Sequence, residues 1–235
     1  MDNKYLQIYH DYVEKIESGA LRSQSKLPSE HELCQQYGTS RETVRKALHL
    51  LSQNGLIQKI KGKGSFVLPV EQMDFPVSGL VSFKELAAKM GKPSQTRVIS
   101  LEALAADDKT ASYLRVKSTT PIWKVVRTRT ISGETIILDK DYFLQQIVPK
   151  LTVSVCESSI YEYLEEELDI PISFAKKEIT VEKATAEDRE CLDLEGYPMV
   201  VVVRNYVHLE DAMLFQYTES RHRPDKFRFI DFARR

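Results

Sequence analysis

Apolar residues recur three and four apart from the start of the chain. Tyr5, Ile8, Tyr9, Tyr12, Val13 and Ile16 share one face of a helix that stops near Ser18-Gly19. A second helix opens at Ser29, where Glu32 three residues on completes a capping box, and it closes at Tyr37-Gly38. Thr39 and Glu42 repeat that spacing ahead of a third stripe, Val44, Ala47, Leu48 and Leu51, ended by Asn54-Gly55. The periodicity then changes from helical to extended. Residues 56–60 and 65–68 read as two short strands around the tip Lys61-Gly62-Lys63-Gly64.

Residues 69–77 carry two prolines and no periodic pattern, which predicts a linker between a first domain at 1–68 and a second at 78–235. The second domain mixes both periods. A short helix is expected from Phe83 to Met90 and another from Ser159 to Leu168, with Ser159 as cap and Glu162 closing a box. Strands are expected at 96–101, 122–131, 134–143, 199–209, 214–222 and 227–232, with Ser132-Gly133 turning 122–131 into 134–143 as a hairpin. The fold class expected is α+β: a winged helix-turn-helix followed by an antiparallel-sheet domain.

Composition removes several classes. With 42% hydrophobic and 29% charged residues the chain can bury a core, which excludes disordered and collagen-like chains. No apolar run approaches a membrane span, and the opening residues lack a signal-peptide core, so a cytoplasmic location is expected. Cys34, Cys156 and Cys191 fit neither a disulfide framework nor a zinc spacing. No metal, no cofactor and no membrane partner is expected.

The net charge of −1 hides an asymmetry, because residues 1–70 hold ten Lys/Arg against seven Asp/Glu. Within 38–68, Arg41, Arg45, Lys46, Lys59, Lys61 and Lys63 face only Glu42. A basic segment on an acidic body suits a nucleic-acid reader. Ser40, Arg41, Thr43 and Arg45, at the start of the third helix, offer phosphate donors and guanidinium forks for a major groove. The glycines of the positive hairpin tip would let its backbone approach DNA closely. A small helical domain with a solvated charged face is the plainer alternative.

In the second domain Arg127 and Arg129 lie two apart on a strand and therefore share one face of the sheet. Two such cations are costly to bury together unless an anion lies between them. Ser159, at a helix start, is a second anion-friendly position. The alternative is that the arginines pair with carboxylates across the hairpin, Glu134 or Asp139.

The run Leu27-Pro28-Ser29-Glu30, Tyr37-Gly38-Thr39-Ser40-Arg41-Glu42-Thr43-Val44-Arg45-Lys46-Ala47-Leu48, Asn54-Gly55-Leu56-Ile57 and Gly62-Lys63-Gly64-Ser65-Phe66-Val67 resembles the DNA-binding domain of the GntR family of bacterial regulators. The resemblance implies a homodimer on double-stranded palindromic operator DNA. It places His31, where many relatives have arginine, with Ser40, Arg41, Thr43, Arg45, Lys61, Gly62 and Lys63 at the DNA. Residues 75–235 resemble the effector domain of the HutC branch, the UTRA domain, similar in fold to chorismate lyase. That resemblance implies a phosphorylated-sugar effector held by Arg127, Arg129, Ser159, Tyr161, Phe83 and Lys84, with Gln216 and His222 on the sugar and an Arg223-x-Asp225 pair as structure. Within the branch, Phe75 to Leu86, Ile137 to Phe143 and Phe215 to Arg223 are similar to the trehalose-responsive repressors of Gram-positive bacteria, which implies trehalose 6-phosphate as inducer. The same arginines would also suit another phosphosugar or an organic anion.

An enzyme is the remaining class, since the effector domain shares its fold with a lyase. His222 and Glu219 are the candidate acid–base groups, but no nucleotide-loop or zinc-protease motif is present, and fold alone is weak warrant for chemistry. No catalytic residue is expected.

Overall fold

Ser29 and Gly38 set the frame of the first domain. In the computed structural model, which describes residues 4–69 and 83–229, Ser29 caps α2 (Glu30–Tyr37) through a complete capping box with Glu32, and Gly38 ends it in the left-handed conformation. Helix α1 (Lys4–Glu17) packs across α3 (Arg41–Gln53), and the hairpin β1 (Ile57–Ile60) and β2 (Gly64–Val67) closes the unit. Ile8, Tyr12, Leu33, Val44, Leu51 and Ile57 fill the core, which is the apolar stripe expected from each helix. The cap of α3 falls one residue later than expected. Gly38 and Thr39 both spend their N–H groups on the Cys34 carbonyl, so Ser40 becomes the cap and accepts from the Thr43 N–H.

The second unit is a six-stranded antiparallel sheet ordered β3-β4-β5-β8-β7-β6. Its strands are β3 (Ser94–Ala105), β4 (Pro121–Ile131), β5 (Glu134–Leu144), β6 (Ile172–Lys183), β7 (Met199–Leu209) and β8 (Leu214–His222). Two three-stranded meanders, β3-β4-β5 and β6-β7-β8, therefore meet through the central β5–β8 pair. Helix α4 (Phe83–Met90) precedes the sheet and α5 (Asp108–Leu114) joins β3 to β4. Helices α6 (Val153–Glu157) and α7 (Ile160–Glu162) lie between β5 and β6, and α8 (Ala186–Cys191) between β6 and β7. A core of Leu114, Ile122, Phe143, Leu164, Phe215 and Tyr217 ties sheet to helices. Among the described residues no helix is long and apolar enough to cross a membrane.

Four expectations are corrected. Strand β3 spans 94–105 rather than 96–101, because all of β4 is available to pair with it. The helix from Ser159 is α-helical only to Glu162 and then widens into a π-helical turn over 163–167. Its box is half formed, since the Glu162 carboxylate pairs with Lys84 instead of reaching back. Residues 227–229 form no strand, because Pro224 starts a short 3-10 turn; the rest of the expected strand, and the linker from residue 70, lie outside the described residues.

Strand β6 escaped the sequence reading altogether. It is an edge strand with Phe174, Ile179 and Val181 exposed, and Lys176-Lys177-Glu178 interrupts its alternation. The cap of α8, Thr185 boxed with Asp188, was legible at the same spacing as Ser29 and Glu32.

Candidate functional site

Two groups of side chains carry chemistry, one in each unit. On the first, His31, Ser40, Arg41, Arg45, Lys61, Gly62 and Lys63 are exposed, and Thr43 is half-buried. Arg41 and Arg45 are one helical turn apart on α3 and so share a face. The Glu30 carboxylate accepts from Arg45 Nε at 2.9 Å and from Lys59 Nζ at 2.6 Å, gathering α2, α3 and β1 at one point. Lys59, and after it Arg45, holds the Glu30 carboxyl below its ordinary range. Ser40 and Thr43 are joined hydroxyl to hydroxyl at 2.9 Å, and His31 contacts Gln35 at 3.2 Å. At the hairpin tip Gly62 and Gly64 take φ of +77° and +108°, which favour glycine, and a Cβ on Gly64 would sit 2.9 Å from Lys26 Cε.

In the second unit Arg127 and Arg129 are each 5% exposed, side by side on β4. Strand pairing sets Arg127 opposite Asp139, yet both ion pairs run on the diagonal. Arg127 Nη2 lies 2.6 Å from Asp141 Oδ2, and Arg129 Nε lies 2.9 Å from Asp139 Oδ2. Arg127 Nη1 donates to the Cys156 carbonyl at 3.0 Å, and Arg129 Nη1 to the Thr96 hydroxyl. The Phe83 ring lies 4.7 Å from the Arg129 guanidinium carbon. The carboxylates are themselves held, Asp139 by the Ser220 hydroxyl at 2.6 Å and Asp141 by the Thr218 hydroxyl at 2.8 Å.

The arrangement is thus two charge-balanced buried pairs, the alternative that the sequence left open at Asp139. Glu134 takes no part; it binds Arg223 and Lys226 instead. Burial acts to raise the Asp139 carboxyl, but Arg129 and Arg127 outweigh it and hold it low. Burial and the neighbouring Arg127 pull Arg129 down from its ordinary value. Among the described residues, Arg127 Nε is buried with no hydrogen-bond partner. An orphaned charged donor of this kind is costly, and an incoming oxygen would satisfy it.

Of the other expected effector residues, Tyr161 and Gln216 connect to this floor through hydrogen bonds. Tyr161 OH donates to Gln216 Oε1 at 3.1 Å, and Gln216 Nε2 donates to Thr218 Oγ1 at 3.0 Å, which links both to Asp141 and Arg127. Ser159 is buried, and its hydroxyl accepts from the Glu162 N–H. With so few α-helical residues behind it, α7 adds little dipole. Lys84 pairs with Glu162 at 2.6 Å through exposed side chains. His222 is buried beside Phe227, and that burial pushes its imidazole down to about 4 despite Asp139. Asp141, Thr218, Ser220 and the Cys156 carbonyl were not among the candidates. Asp139 and Asp141 repeat the two-residue spacing of Arg127 and Arg129 on the adjoining arm of the hairpin, and that was the available signal. Cys156 lies in the core with its thiol pushed up to about 11 by burial, which makes it inert.

Among the described residues no cluster of His, Cys, Asp and Glu could hold a metal. The surface of α3 and the hairpin offers cations to a polyanion, and the buried cluster on β4, β5 and β8 gathers two guanidinium groups near an amide and a phenol.

Residues 4–67 match the bacterial regulatory proteins of the gntR family, and residues 89–228 match the UTRA domain. The chain is 60% identical over 233 residues to the HTH-type transcriptional regulator TreR of Bacillus subtilis, covering 99% of this chain and 98% of that protein. It is 30% identical over 231 residues to the HTH-type transcriptional repressor NagR of the same organism, covering 98% and 95%. The crystal structure of the possible transcriptional regulator YydK of B. subtilis superposes with a TM-score of 0.79 at 27% identity, over 98% of this chain and 99% of that one. The effector-binding domain of the B. subtilis trehalose repressor superposes with a TM-score of 0.57 at 57% identity, over 60% of this chain and 98% of that domain.

Proposed function

The chain belongs to the GntR family of bacterial regulatory proteins, with a UTRA domain as its second half, and from that we propose that it represses a trehalose-utilisation operon and is released from DNA by trehalose 6-phosphate. The observation that carries the reading is the 60% identity to B. subtilis TreR along nearly the whole of both chains. Residues 1–68 act as the reading head, 69–77 as linker and 78–235 as the effector domain. Two copies of the chain sit on a palindromic operator. The start of α3 enters the major groove with Arg41, Thr43 and Arg45, and Lys61, Gly62 and Lys63 of the hairpin tip reach the neighbouring minor groove. His31 and Ser40 face the backbone.

Arg127 and Arg129 bind the effector's phosphate. Their charges are already matched by Asp141 and Asp139, so the pocket is preorganised without a net positive charge to desolvate. The phosphate gains from N–H groups that the carboxylates leave unused, the Arg127 Nε first among them. Ser159, Phe83 and Lys84 complete that end. Tyr161, Gln216 and His222 meet the sugar. Binding then changes the spacing of the two reading heads, and operator geometry, which is fixed, no longer fits.

The test is the melting temperature of the purified chain with trehalose 6-phosphate, glucose 6-phosphate, glucosamine 6-phosphate or free trehalose. A ligand at about 100 times its dissociation constant adds roughly 2.7 kcal/mol, a shift of several degrees. Stabilisation by trehalose 6-phosphate above the others is the expected result. A larger shift with another phosphosugar keeps the arginine pocket and replaces the inducer, and no shift with any of them removes the effector class.

A further inference from the structure

Four side chains run in one hydrogen-bonded line from Arg127 to α7. Asp141 Oδ2 accepts from Arg127, Asp141 Oδ1 accepts from the Thr218 hydroxyl at 2.8 Å, Thr218 Oγ1 accepts from Gln216 Nε2 at 3.0 Å, and Gln216 Oε1 accepts from Tyr161 OH at 3.1 Å. The line crosses two central strands and reaches α7. Asp141, Thr218 and Gln216 are all buried, at 2%, 7% and 1% exposure, so water does not scramble it.

Its polarity is forced from one end. A carboxylate paired with a guanidinium can only accept, so the Thr218 proton must point at Asp141. Thr218 then has only lone pairs to offer Gln216. A primary amide carries donors on nitrogen and acceptors on oxygen, so the Gln216 nitrogen turns to Thr218 and its oxygen to Tyr161. Tyr161 in turn spends its proton on that oxygen and presents lone pairs. The donor and acceptor pattern shown to a ligand is therefore set two residues away from it.

Resting on the effector pocket proposed above, we infer that Asp141 and Thr218 are positioning residues that lock the Gln216 amide in one orientation, so that the pocket selects among phosphorylated ligands by their hydroxyl pattern. Arg127 and Arg129 grip the phosphate; the Asp141–Thr218 pair decides which sugar face fits. The one carboxylate serves both ends, orienting Arg127 with one oxygen and the amide with the other.

The experiment is a double-mutant cycle on trehalose 6-phosphate affinity, measured by titration calorimetry on the full chain. Thr218→Val keeps the shape and the Arg127–Asp141 pair but removes the hydroxyl, freeing the amide to flip. Its dissociation constant should rise about tenfold, the worth of one buried neutral hydrogen bond. Thr218→Ser, which restores the hydroxyl, should bind as the unaltered chain does. In a Gln216→Leu background Thr218→Val should add far less than it does alone, because the greater part of its effect passes through that amide. Wild-type affinity in Thr218→Val overturns the inference. So does a loss that multiplies with that of Gln216→Leu, or one that Thr218→Ser does not rescue. If the unaltered chain binds none of the phosphosugars tested, the effector reading itself has failed and this inference falls with it.

Discussion

Single residues in the pocket are more constrained than their positions suggest. Replacing Arg127 with alanine would strand the Asp141 carboxylate in a dry interior, a loss of about 3–5 kcal/mol that would confuse binding with unfolding. Lysine keeps the charge but not the fork, so Arg127→Lys is the cleaner probe. It should fold, hold operator DNA and fail to release it when the phosphosugar is added. His222 makes a second prediction at this scale. Its unfolded value is about 6.5 and burial pushes it down to about 4 in the fold. Between those two values the unfolded chain takes up a proton that the folded chain refuses, so stability falls as pH falls through that window. The loss at pH 5 should be about 2 kcal/mol relative to pH 7.5, seen as a lower denaturation midpoint. His222→Gln should flatten the slope, and an unchanged slope would exclude His222 as its source.

At the level of elements, caps and pins hold the framework. Ser29 satisfies the first turn of α2 on both sides of its capping box, and Ser29→Ala should cost about 1 kcal/mol of the first unit's stability. Arg223, 1% exposed, binds the Asp193 carbonyl at 2.6 Å, Glu134 at 2.6 Å and Asp225 at 2.7 Å. It therefore pins the β4–β5 turn, the loop after α8 and the end of β8 together. Arg223→Met should lower stability by about 3 kcal/mol, roughly 6–12 °C in the melting of the second unit, with operator contacts intact. A change within a degree would show that the pin is redundant.

For the whole molecule, reading and sensing are separable because they lie in different units. Arg45→Ala should weaken operator binding while leaving phosphosugar affinity unchanged, the opposite of Arg127→Lys. It should also reduce by about two the slope of log affinity against log salt, since each of the two copies loses one phosphate contact. Arg45 leaves its Glu30 partner cheaply, as both side chains meet water and exposed pairs are worth under about 1 kcal/mol. A single substitution that removed both binding activities would argue against this division.

The sequence by itself determined the local order: which segments coil, where Ser29 and Gly38 start and stop α2, and that Arg127 and Arg129 share a face. Those features follow from periodicities of 3.6 and 2 and from backbone chemistry within a few residues. An arginine–carboxylate pair across the hairpin was one of the alternatives the sequence left open, but the choice of Asp139 for Arg129 depends on a register shift beside Arg129 that the turn does not encode. Tertiary structure alone decided the partnership of Asp141 with Thr218, 77 residues on. It also brought Gln216 to Tyr161, 55 residues apart. Strand β6 exists because β7 offers it an edge, not because its own residues alternate cleanly. Sheet order joins distant strands through backbone hydrogen bonds that carry no side-chain code, so the chemistry that depends on that order becomes visible only once the strands are in place.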